Sequence, residues 1–280
     1  MSQIITEEMI REYVSFLKDS EKSEATVEKY EKAVRRFNEN LNGNSAVTKA
    51  EAVAWKNSLA KTKAISTVNI QIAALNSFFK YHGWSDCVLK PFRIQKKTFS
   101  TPDRELTKTE YQTLVRTAEE QGKKKISLLL QLLATTGMRV SEVQYVTIDC
   151  LNREKVEINL KGKVRTILLP DKMCRKLRQY CKKEGIKAGE VFLTRTGKAM
   201  TRKEIWAHFK RLCKGAGVSE KKVFPHNLRR LFARTFYQVK SDIVKLADLL
   251  GHSSIETTRI YLMTSGMEHR RLIEKLRLIC

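Results

Sequence analysis

One interruption of the helical pattern most constrains how this chain folds. Apolar residues recur at helical spacing on both sides of residues 89–105, but that stretch has no such period. It contains Lys90-Pro91 and Thr101-Pro102, and it is basic. Because a helix rarely continues through a proline, we predict two units, residues 1–88 and 106–280, joined by a basic linker. With 280 residues in the chain, each unit is long enough to bury its own core.

The first unit is predicted to be all-helical. Between residues 6 and 84, apolar stripes at helical spacing indicate four helices. Thr6 and the capping box Thr48-Lys49-Ala50-Glu51 predict where the first and third begin, and Ser66 is the expected cap of the fourth. The outer faces carry basic and amide side chains, each of which either contacts a binding partner or simply faces solvent. The residues we expect to make such contacts here are Lys32, Arg36, Asn69 and Lys80.

The second unit is predicted to combine helices with one β-hairpin. Capping boxes at Thr107-Lys108-Thr109-Glu110 and Thr201-Arg202-Lys203-Glu204 open two of its helices, and Trp206 is expected on the buried side of the latter. Residues 156–169 alternate with a period of two around a turn at Lys161-Gly162-Lys163. The predicted fold class is therefore mainly α with a small sheet, in two domains, the second of them α+β.

Charge narrows the choice of partner. The sequence has 54 Lys and Arg against 30 Asp and Glu, a formal net charge of +24, which favours a nucleic-acid partner. The six cysteines form no C-x-x-C pair and have no histidine at metal spacing. We therefore expect free thiols in a reducing cytosol, no metal and no cofactor.

The N-terminus lacks a secretion signal, and the longest apolar run, residues 126–134, is about half the ~20 residues of a membrane span. A buried core helix in a cytoplasmic protein is the expectation.

Several side chains have the chemistry needed to bind a phosphodiester. A guanidinium matches two phosphate oxygens, so Arg139 suits an anion, although a structural ion pair with Glu142 is the alternative. His226 and Arg229 lie one helical turn apart. They follow Pro225 near a helix start, where backbone N–H groups favour an anion. A purely structural histidine is the alternative for His226.

The remaining candidates would move protons or attack phosphorus. Lys161 is either an ordinary turn lysine or a mobile acid that protonates a leaving oxygen, with Lys163 and Arg165 as rivals. His252 follows a predicted helix end, so it either bonds a phosphate or caps that helix. Tyr261 is either a half-buried core residue or a nucleophile. A phenol with a pKa of ~10 needs cations nearby to react, and the arginines would supply them without a metal ion.

In this order and spacing, the motifs resemble those of the tyrosine recombinase, or phage integrase, family. The segment Thr136-Gly137-Met138-Arg139-Val140-Ser141-Glu142 is similar to the one that carries the family's first arginine, and Lys161 falls at its hairpin lysine. His226-Asn227-Leu228-Arg229 resembles the His-x-x-Arg motif, and Leu250-Gly251-His252-Ser253 resembles the second histidine motif. Tyr261 stands nine residues after His252, where the family has its nucleophile. The resemblance covers essentially the whole chain, and the catalytic half looks like that of bacterial Xer-type enzymes.

The resemblance implies a mechanism. Tyr261 would attack the scissile phosphate and leave a 3′-phosphotyrosyl bond and a free 5′-hydroxyl, while two arginines hold the non-bridging oxygens. Lys161 would protonate the leaving oxygen, His226 would act as acid or base, and His252 would bond the phosphate. The first arginine is Arg139. The second is expected to be Arg229, which lies one helical turn from His226, and its rival is Arg230, which stands where the family often has a histidine.

The resemblance also implies partners. We expect a helical core-binding domain and a catalytic domain that close around double-stranded DNA at a core site with inverted half-sites. Because the chain begins directly at the helical unit, no arm-site-binding domain is expected. The active form would be a homotetramer that passes through a Holliday junction without ATP. Accessory DNA-bending proteins would assist it in the bacterial nucleoid. The tail, residues 267–280, is apolar at helical spacing and suits exchange between neighbours. The expected DNA contacts are Lys32, Arg36, Asn69 and Lys80 in the first unit, together with Lys96, Arg202 and Lys203.

The biological task would be integration and excision of a mobile element, or resolution of replicon dimers. Two alternatives come from other classes. A type IB topoisomerase shares the chemistry but rejoins the same strand, so it would relax any supercoiled plasmid. A non-catalytic DNA-binding regulator accounts for the charge and the helices, but not for the placement of the tyrosine and the two histidines. Only an enzyme would form a covalent adduct with DNA.

Overall fold

The computed structural model describes residues 4–41, 46–94, 105–160, 163–263 and 274–275. The chain divides into two compact units, residues 1–96 and 97–280, each with its own hydrophobic core. This division falls within the predicted linker, whose limits at residues 89 and 105 stay predictions. Lys96, Lys161 and nearly all of the tail lie outside the described residues.

The first unit is a group of helices around an aromatic core. Tyr13, Phe37 and Phe78 are fully buried in it, and their rings meet other aromatic rings edge to face. The predicted helices are all present in the described part of this unit, followed by a short 3₁₀ turn. They are α1 (Glu7–Asp19), α2 (Glu24–Asn40), α3 (Lys49–Thr62) and α4 (Ile65–Tyr81), with the 3₁₀ turn at Ser85–Cys87.

Side-chain caps set two of these helix starts as predicted, but not a third. The Thr6 hydroxyl accepts the N–H of Met9 at 3.2 Å, and Thr48 and Glu51 form a reciprocal capping box. The expectation for Ser66 was wrong, because α4 begins at Ile65 with Ala64 at the N-cap. Only two residues, Lys63 and Ala64, connect α3 to α4. The chain therefore turns too early for Ser66 to cap the helix.

The second unit is mainly helical with a two-stranded antiparallel sheet, which confirms the predicted fold class. The predicted capping boxes at Thr107 and Thr201 are both present. In chain order its described elements are α5 (Lys108–Glu120), α6 (Lys124–Thr136), a 3₁₀ helix (Val140–Tyr145), α7 (Ile148–Arg153), β1 (Lys155–Leu160), β2 (Lys163–Leu168), α8 (Asp171–Lys183), α9 (Arg202–Ala216), α10 (Pro225–Val239), α11 (Ile243–Leu250) and α12 (Ile255–Leu262).

The register of the hairpin determines which of its side chains face the core. Val156 pairs with Ile167, and Ile158 pairs with Arg165. Val156, Ile158 and Ile167 are buried, whereas Val164 on the other face of β2 is 69% exposed. Because side chains alternate along a strand, Arg165 shares the inward face of β2 with Ile167. The hairpin therefore presents an arginine to the interior of the unit.

Two core helices position the residues that follow them. The apolar run in α6 is largely buried, as predicted, with only Gln131 and Ala134 partly exposed. α6 ends at Gly137 with a left-handed φ of 61°. In α9 the buried side chains are those of Ile205, Phe209 and Leu212. The prediction that Trp206 faces this core was wrong, because its side chain lies about a quarter turn away from that stripe and is 48% exposed.

Candidate active site

A left-handed turn after α6 directs Arg139 into a cleft. Gly137 ends the helix, and Arg139 becomes the N-cap of the following 3₁₀ helix. The buried Glu142 carboxylate accepts the Arg139 backbone N–H at 2.6 Å and its Nη1 at 3.0 Å. The structural ion pair is thus present, yet the Arg139 side chain stays 45% exposed and lines the cleft. The carboxylate orients this guanidinium without covering it.

Arg165 is a second arginine on the same carboxylate. Its Nη1 donates to Glu142, and its side chain is only 14% exposed. Burial lowers the pKa of this guanidinium, while Glu142 opposes the shift. Its Nε and Nη2 are buried and have no hydrogen-bond partner among the described residues. Since Arg165 is enclosed, the described structure does not favour it as the mobile acid for which Lys161 is the candidate.

Arg229 is the central cation of the site. It lies on α10, which Pro225 starts at N1, and it is 2% exposed. Its Nη1 donates to the carbonyl of Gly137 at 2.5 Å, and its Nη2 donates to the carbonyl of Leu250 at 2.6 Å. Burial, followed by repulsion from Arg139 and Arg165, lowers the pKa of Arg229 to about 10. The charge is held by neutral carbonyls, so this position favours an incoming anion.

Arg230 is directed elsewhere. Its Nη2 donates to the carbonyl of Ile260 at 3.2 Å and lies 3.8 Å from the Glu105 carboxylate. Glu105 also accepts from Arg234. Arg229 is among the residues that line the cleft, whereas the polar contacts of Arg230 run to α12 and to the start of the unit. These contacts favour Arg229, the expected residue, over Arg230, and its contact with a phosphate stays a prediction.

Hydrogen bonds fix the tautomer of His252. Its Nε2 lies 2.9 Å from the Arg229 Nη2, which can only donate, so Nε2 accepts and the proton is on Nδ1. Nδ1 then donates to the Thr258 hydroxyl at 2.8 Å. Burial, followed by the charge of Arg229, lowers the pKa of His252 to about 4. His252 is therefore neutral and orients Arg229. Its backbone N–H also donates to the carbonyl of Ala247 at 3.0 Å, so His252 takes part in the cap of α11 beside Gly251.

Tyr261 lies against both histidines. It is on α12, is 7% exposed, and its ring stacks on His252 with centroids 5.3 Å apart. Its hydroxyl oxygen is 3.5 Å from the Nδ1 of His226, and the Arg229 Cζ lies 5.9 Å from its ring centroid. Burial, and then Arg229, lowers the pKa of His226. A neutral imidazole beside a phenol can accept its proton.

These side chains border one cleft of about 630 Å³, which we call the active-site cleft. The candidates Arg139, His226, Arg229 and Tyr261 line it, while His252 stands behind Arg229 and Tyr261. The N-terminal part of α9 forms its other wall. The side chains it contributes are Arg202, Lys203 and Trp206. Both basic residues were expected to contact DNA, and both are exposed beside this cleft.

The DNA contacts predicted in the first unit have different surroundings. Lys32 is exposed and forms an ion pair with Glu28 at 2.5 Å, and Arg36 and Lys80 are exposed. Asn69 has a structural use, because its side-chain amide donates to the carbonyl of Phe92 at 2.8 Å and accepts the N–H of Phe92 at 2.9 Å. These DNA contacts stay predictions, as do the roles of Lys161 and Lys96.

Three residues of the site were not identified from the sequence. Trp206 was taken for a core residue, Arg165 for a rival of Lys161, and Glu142 only for an ion-pair partner of Arg139. The alternation of β2 was a usable signal for Arg165, because it places this residue on the face of Ile167. The buried Glu142 bridge between two arginines depends on tertiary structure.

The described residues contain no group of three or more His, Cys, Asp or Glu side chains that could hold a metal ion. Within that same part of the chain, each helix is too short or too polar to span a membrane.

Comparison with known proteins gives consistent matches along the chain. The profile of the phage integrase family matches residues 104–266, and that of the phage integrase N-terminal SAM-like domain matches residues 10–85. The tyrosine recombinase XerA of Pyrococcus furiosus is 27% identical over 97% of this chain and 95% of its own. XerA of Thermococcus kodakarensis is 30% identical over 97% of this chain and 96% of its own. The structure of a lambda integrase tetramer bound to a Holliday junction has a TM-score of 0.73 at 18% identity, over 92% of this chain and 77% of that one.

Proposed function

This chain belongs to the phage integrase family and is a site-specific tyrosine recombinase, and we propose that Tyr261 is the nucleophile with which it cuts DNA. The observation that carries the proposal is the position of the Tyr261 hydroxyl. It lies 3.5 Å from His226, at a cleft that Arg139 and Arg229 also line. These residues come from distant parts of the sequence. A core tyrosine needs none of these neighbours, whereas a phenol that attacks a phosphate needs all of them.

The proposed first step exchanges one phosphoester for another. The Tyr261 oxygen attacks the scissile phosphorus, its proton passes to His226, and the bond between phosphorus and the 5′-oxygen breaks. The departing 5′-oxygen takes a proton from Lys161. A 3′-phosphotyrosyl bond replaces the cut linkage, so the reaction needs no ATP. The 5′-hydroxyl of a partner strand then attacks the same phosphorus and releases the tyrosine. Two such rounds pass through a Holliday junction.

The arginines would hold the charge that builds at phosphorus. Arg139 is exposed to the cleft and oriented by Glu142, so its fork can bind non-bridging oxygens in pairs. Arg229 is buried, and a phosphorane would add the negative charge that its surroundings lack. We infer that both contact the transition state. Magnesium is not required in this scheme, because the cations belong to the protein.

His252 would change its protonation when DNA binds. In the free protein Nε2 accepts from Arg229 and has no proton to offer a phosphate. Burial, followed by the charges of the neighbouring arginines, keeps its pKa near 4, and a bound phosphate would offset those charges and raise that pKa. We infer that His252 then gains a proton on Nε2 and donates it to a non-bridging oxygen. This is the role expected from its motif.

The assembly that we propose follows the relatives. Residues 1–88 would form the core-binding domain, residues 89–105 the linker and residues 106–280 the catalytic domain. Together they would enclose a double-stranded core site with inverted half-sites. A lambda integrase tetramer bound to a Holliday junction shares this fold, which supports a homotetramer here. The tail, residues 267–280, would exchange between neighbours. Recombination would take place in the cytoplasm on nucleoid DNA, where accessory DNA-bending proteins can assist.

Covalent trapping tests the proposal. DNA linked to the protein would be recovered from cells that express it, and sequenced to find the site. A nicked substrate of that site, which loses its 5′-hydroxyl strand after cleavage, should then accumulate a 3′-linked adduct. Tyr261→Phe should bind this DNA without an adduct. Binding by the wild type without an adduct would leave only a DNA-binding protein, and relaxation of any supercoiled plasmid would favour a topoisomerase.

A further inference from the structure

A second groove lies on the other side of α9 from the active-site cleft. It has a volume of about 800 Å³ and is formed by the start of α6, the loop at residues 193–196, the end of α8 and one face of α9. Basic side chains dominate its lining. They are Lys123, Lys124, Lys125, Arg195, His208 and Arg211. We call this the second groove.

Several of these basic side chains donate hydrogen bonds to uncharged oxygens rather than to carboxylates. The Lys125 Nζ donates to the carbonyl of Leu193 at 2.6 Å, and the Arg211 Nε donates to the carbonyl of Ala207 at 3.3 Å. Lys123 donates to a side-chain amide oxygen. Neutral oxygens satisfy donors but leave the charge in place, so the groove keeps a positive potential.

The acidic residues of the groove offset this charge only in part. The Glu204 carboxylate caps α9, where it accepts the N–H and hydroxyl of Thr201, each at 2.7 Å. Lys124 is 3.4 Å from Glu119, and Glu184 is exposed at the rim. The excess positive charge acts on the half-buried His208. Burial, and then the charges of Arg211, Lys125 and Lys123, lowers its pKa. The positive potential of the second groove therefore favours binding of an anion.

The geometry of α9 relates the two grooves. Arg202 and Trp206 are four residues apart and face the active-site cleft. His208 lies about 200° around the helix axis from Trp206, and Arg211 follows on the same flank. The exposed face between the two flanks carries Lys203 at the edge of the active-site cleft, Ala207 at the edge of the second groove, and Lys214. α9 is therefore a helix with a cationic groove on each side.

A helix with a cationic groove on each side suits the major groove of a DNA duplex. The major groove is about 12 Å wide and admits one α-helix, with a phosphate backbone on each side of it. If the cleaved strand occupies the active-site cleft, the backbone across the major groove meets the opposite flank of α9. We propose that the second groove binds the phosphates of the strand that this protomer does not cut. The proposal rests on the proposed function, because it needs DNA as the substrate.

Neutralising two exposed cations tests this. The double variant Lys123→Gln with Arg211→Gln should keep its fold, because the side-chain hydrogen bonds of both residues are local. Binding to a 25-base-pair duplex of arbitrary sequence would be followed by fluorescence anisotropy from 50 to 300 mM NaCl. Each lost phosphate contact reduces the log–log salt slope by about 0.9, so the slope should become shallower by about two. Affinity at 100 mM should fall at least ten-fold.

A matched pair on another surface serves as control. Lys172 and Arg175 are exposed on α8, so Lys172→Gln with Arg175→Gln removes the same charges and should change affinity less than two-fold. A single strand of the same length can fill only one groove, so the Lys123/Arg211 variant should weaken its binding less than that of the duplex. An unchanged salt slope, an equal loss in the control pair, or equal losses on single and double strands would each overturn the inference.

Failure of this inference is distinguishable from failure of the proposed function. If only the inference is wrong, the wild type still binds duplex DNA and still forms its Tyr261 adduct. If the proposed function is wrong, that adduct is absent. With the nicked substrate at saturating concentration, the double variant should also cleave within about two-fold of the wild-type rate, because it leaves the active-site cleft intact. A large loss of that rate would contradict a role in binding alone.

Discussion

The Glu142 carboxylate offers the sharpest test of how this site is built. It is buried, it accepts two donors from Arg139, and it pairs with the enclosed Arg165. Glu142→Gln keeps the shape but removes the charge. Removing one partner of a buried ion pair costs about 3–5 kcal/mol, and the remaining amide oxygen places the expected loss near the lower value. For a domain of this size, about 3 kcal/mol lowers the melting temperature by about 6–12 °C.

A second substitution separates stability from catalysis. In Glu142→Gln with Arg165→Met, neither member of the buried pair is charged, and apolar replacement of a buried pair is often neutral. Unfolding free energy should therefore recover most of its loss. Adduct formation should stay slow by about 100-fold, because Arg139 has lost the carboxylate that orients it and small misplacements at a reacting centre are costly.

Urea denaturation of the full chain and rates of adduct formation would measure both effects. Glu119→Gln is the matched control, since Glu119 is a half-exposed carboxylate of the same unit that accepts from Lys124 and Ser127. It should cost less than about 1 kcal/mol. A loss for Glu142→Gln no larger than that of this control would show that the buried carboxylate does not balance the two arginines. No recovery on adding Arg165→Met would show that the cost does not come from an uncompensated charge.

Other expected outcomes follow from single contacts. Gly137→Ala places a Cβ 2.4 Å from the Phe232 Cδ1 at a φ of +61°, so thermal unfolding should show a loss of about 3 kcal/mol. Gly197→Ala, with a φ of +75° and nothing within 4 Å, should lose only the smaller backbone cost, and equal losses would contradict the steric reason. The native pKa of His252, about 4, lies below its unfolded value of about 6.5. The unfolded chain therefore binds more protons between these values, and the free energy of unfolding should fall as the pH drops from 6.5 to 4. His252→Gln should reduce that slope in urea titrations, and an identical slope would exclude this origin. DNA binding should quench the emission of the exposed Trp206, and a quench that persists in Trp206→Phe would place DNA elsewhere.

Local features could be predicted because both partners lie close in sequence. The capping boxes at Thr48, Thr107 and Thr201 each involve residues three apart, and all are present. The hairpin followed from its period of two. The convergence of Arg139 and Arg229 on Tyr261 was expected from their motifs rather than from any local rule.

Long-range partners could not be predicted in this way. The alternation of β2 turns Arg165 inward, but a buried arginine is credible only with a counter-charge, and Glu142 comes from the segment after α6. Asn69 looked like a DNA contact because its amide occurs on a polar helix face. Its partner, the backbone of Phe92, lies 23 residues further on. In both cases the partner comes from a segment that is distant in sequence, and a local sequence pattern does not predict which distant segment the fold brings close.

Arg229 shows why structural and catalytic roles are hard to separate here. Its guanidinium donates hydrogen bonds to the carbonyls of Gly137 and Leu250, at the C-terminal ends of α6 and α11. Helix C-termini carry partial negative charge and unsatisfied carbonyls, so this one guanidinium joins two helix ends to α10. Each end has a left-handed glycine, Gly137 and Gly251. Any Arg229 substitution must therefore disturb the fold as well as the phosphate contact. Arg139 is 45% exposed, and its side-chain partner is a carboxylate that remains in its absence, so its variants isolate the phosphate contact more cleanly.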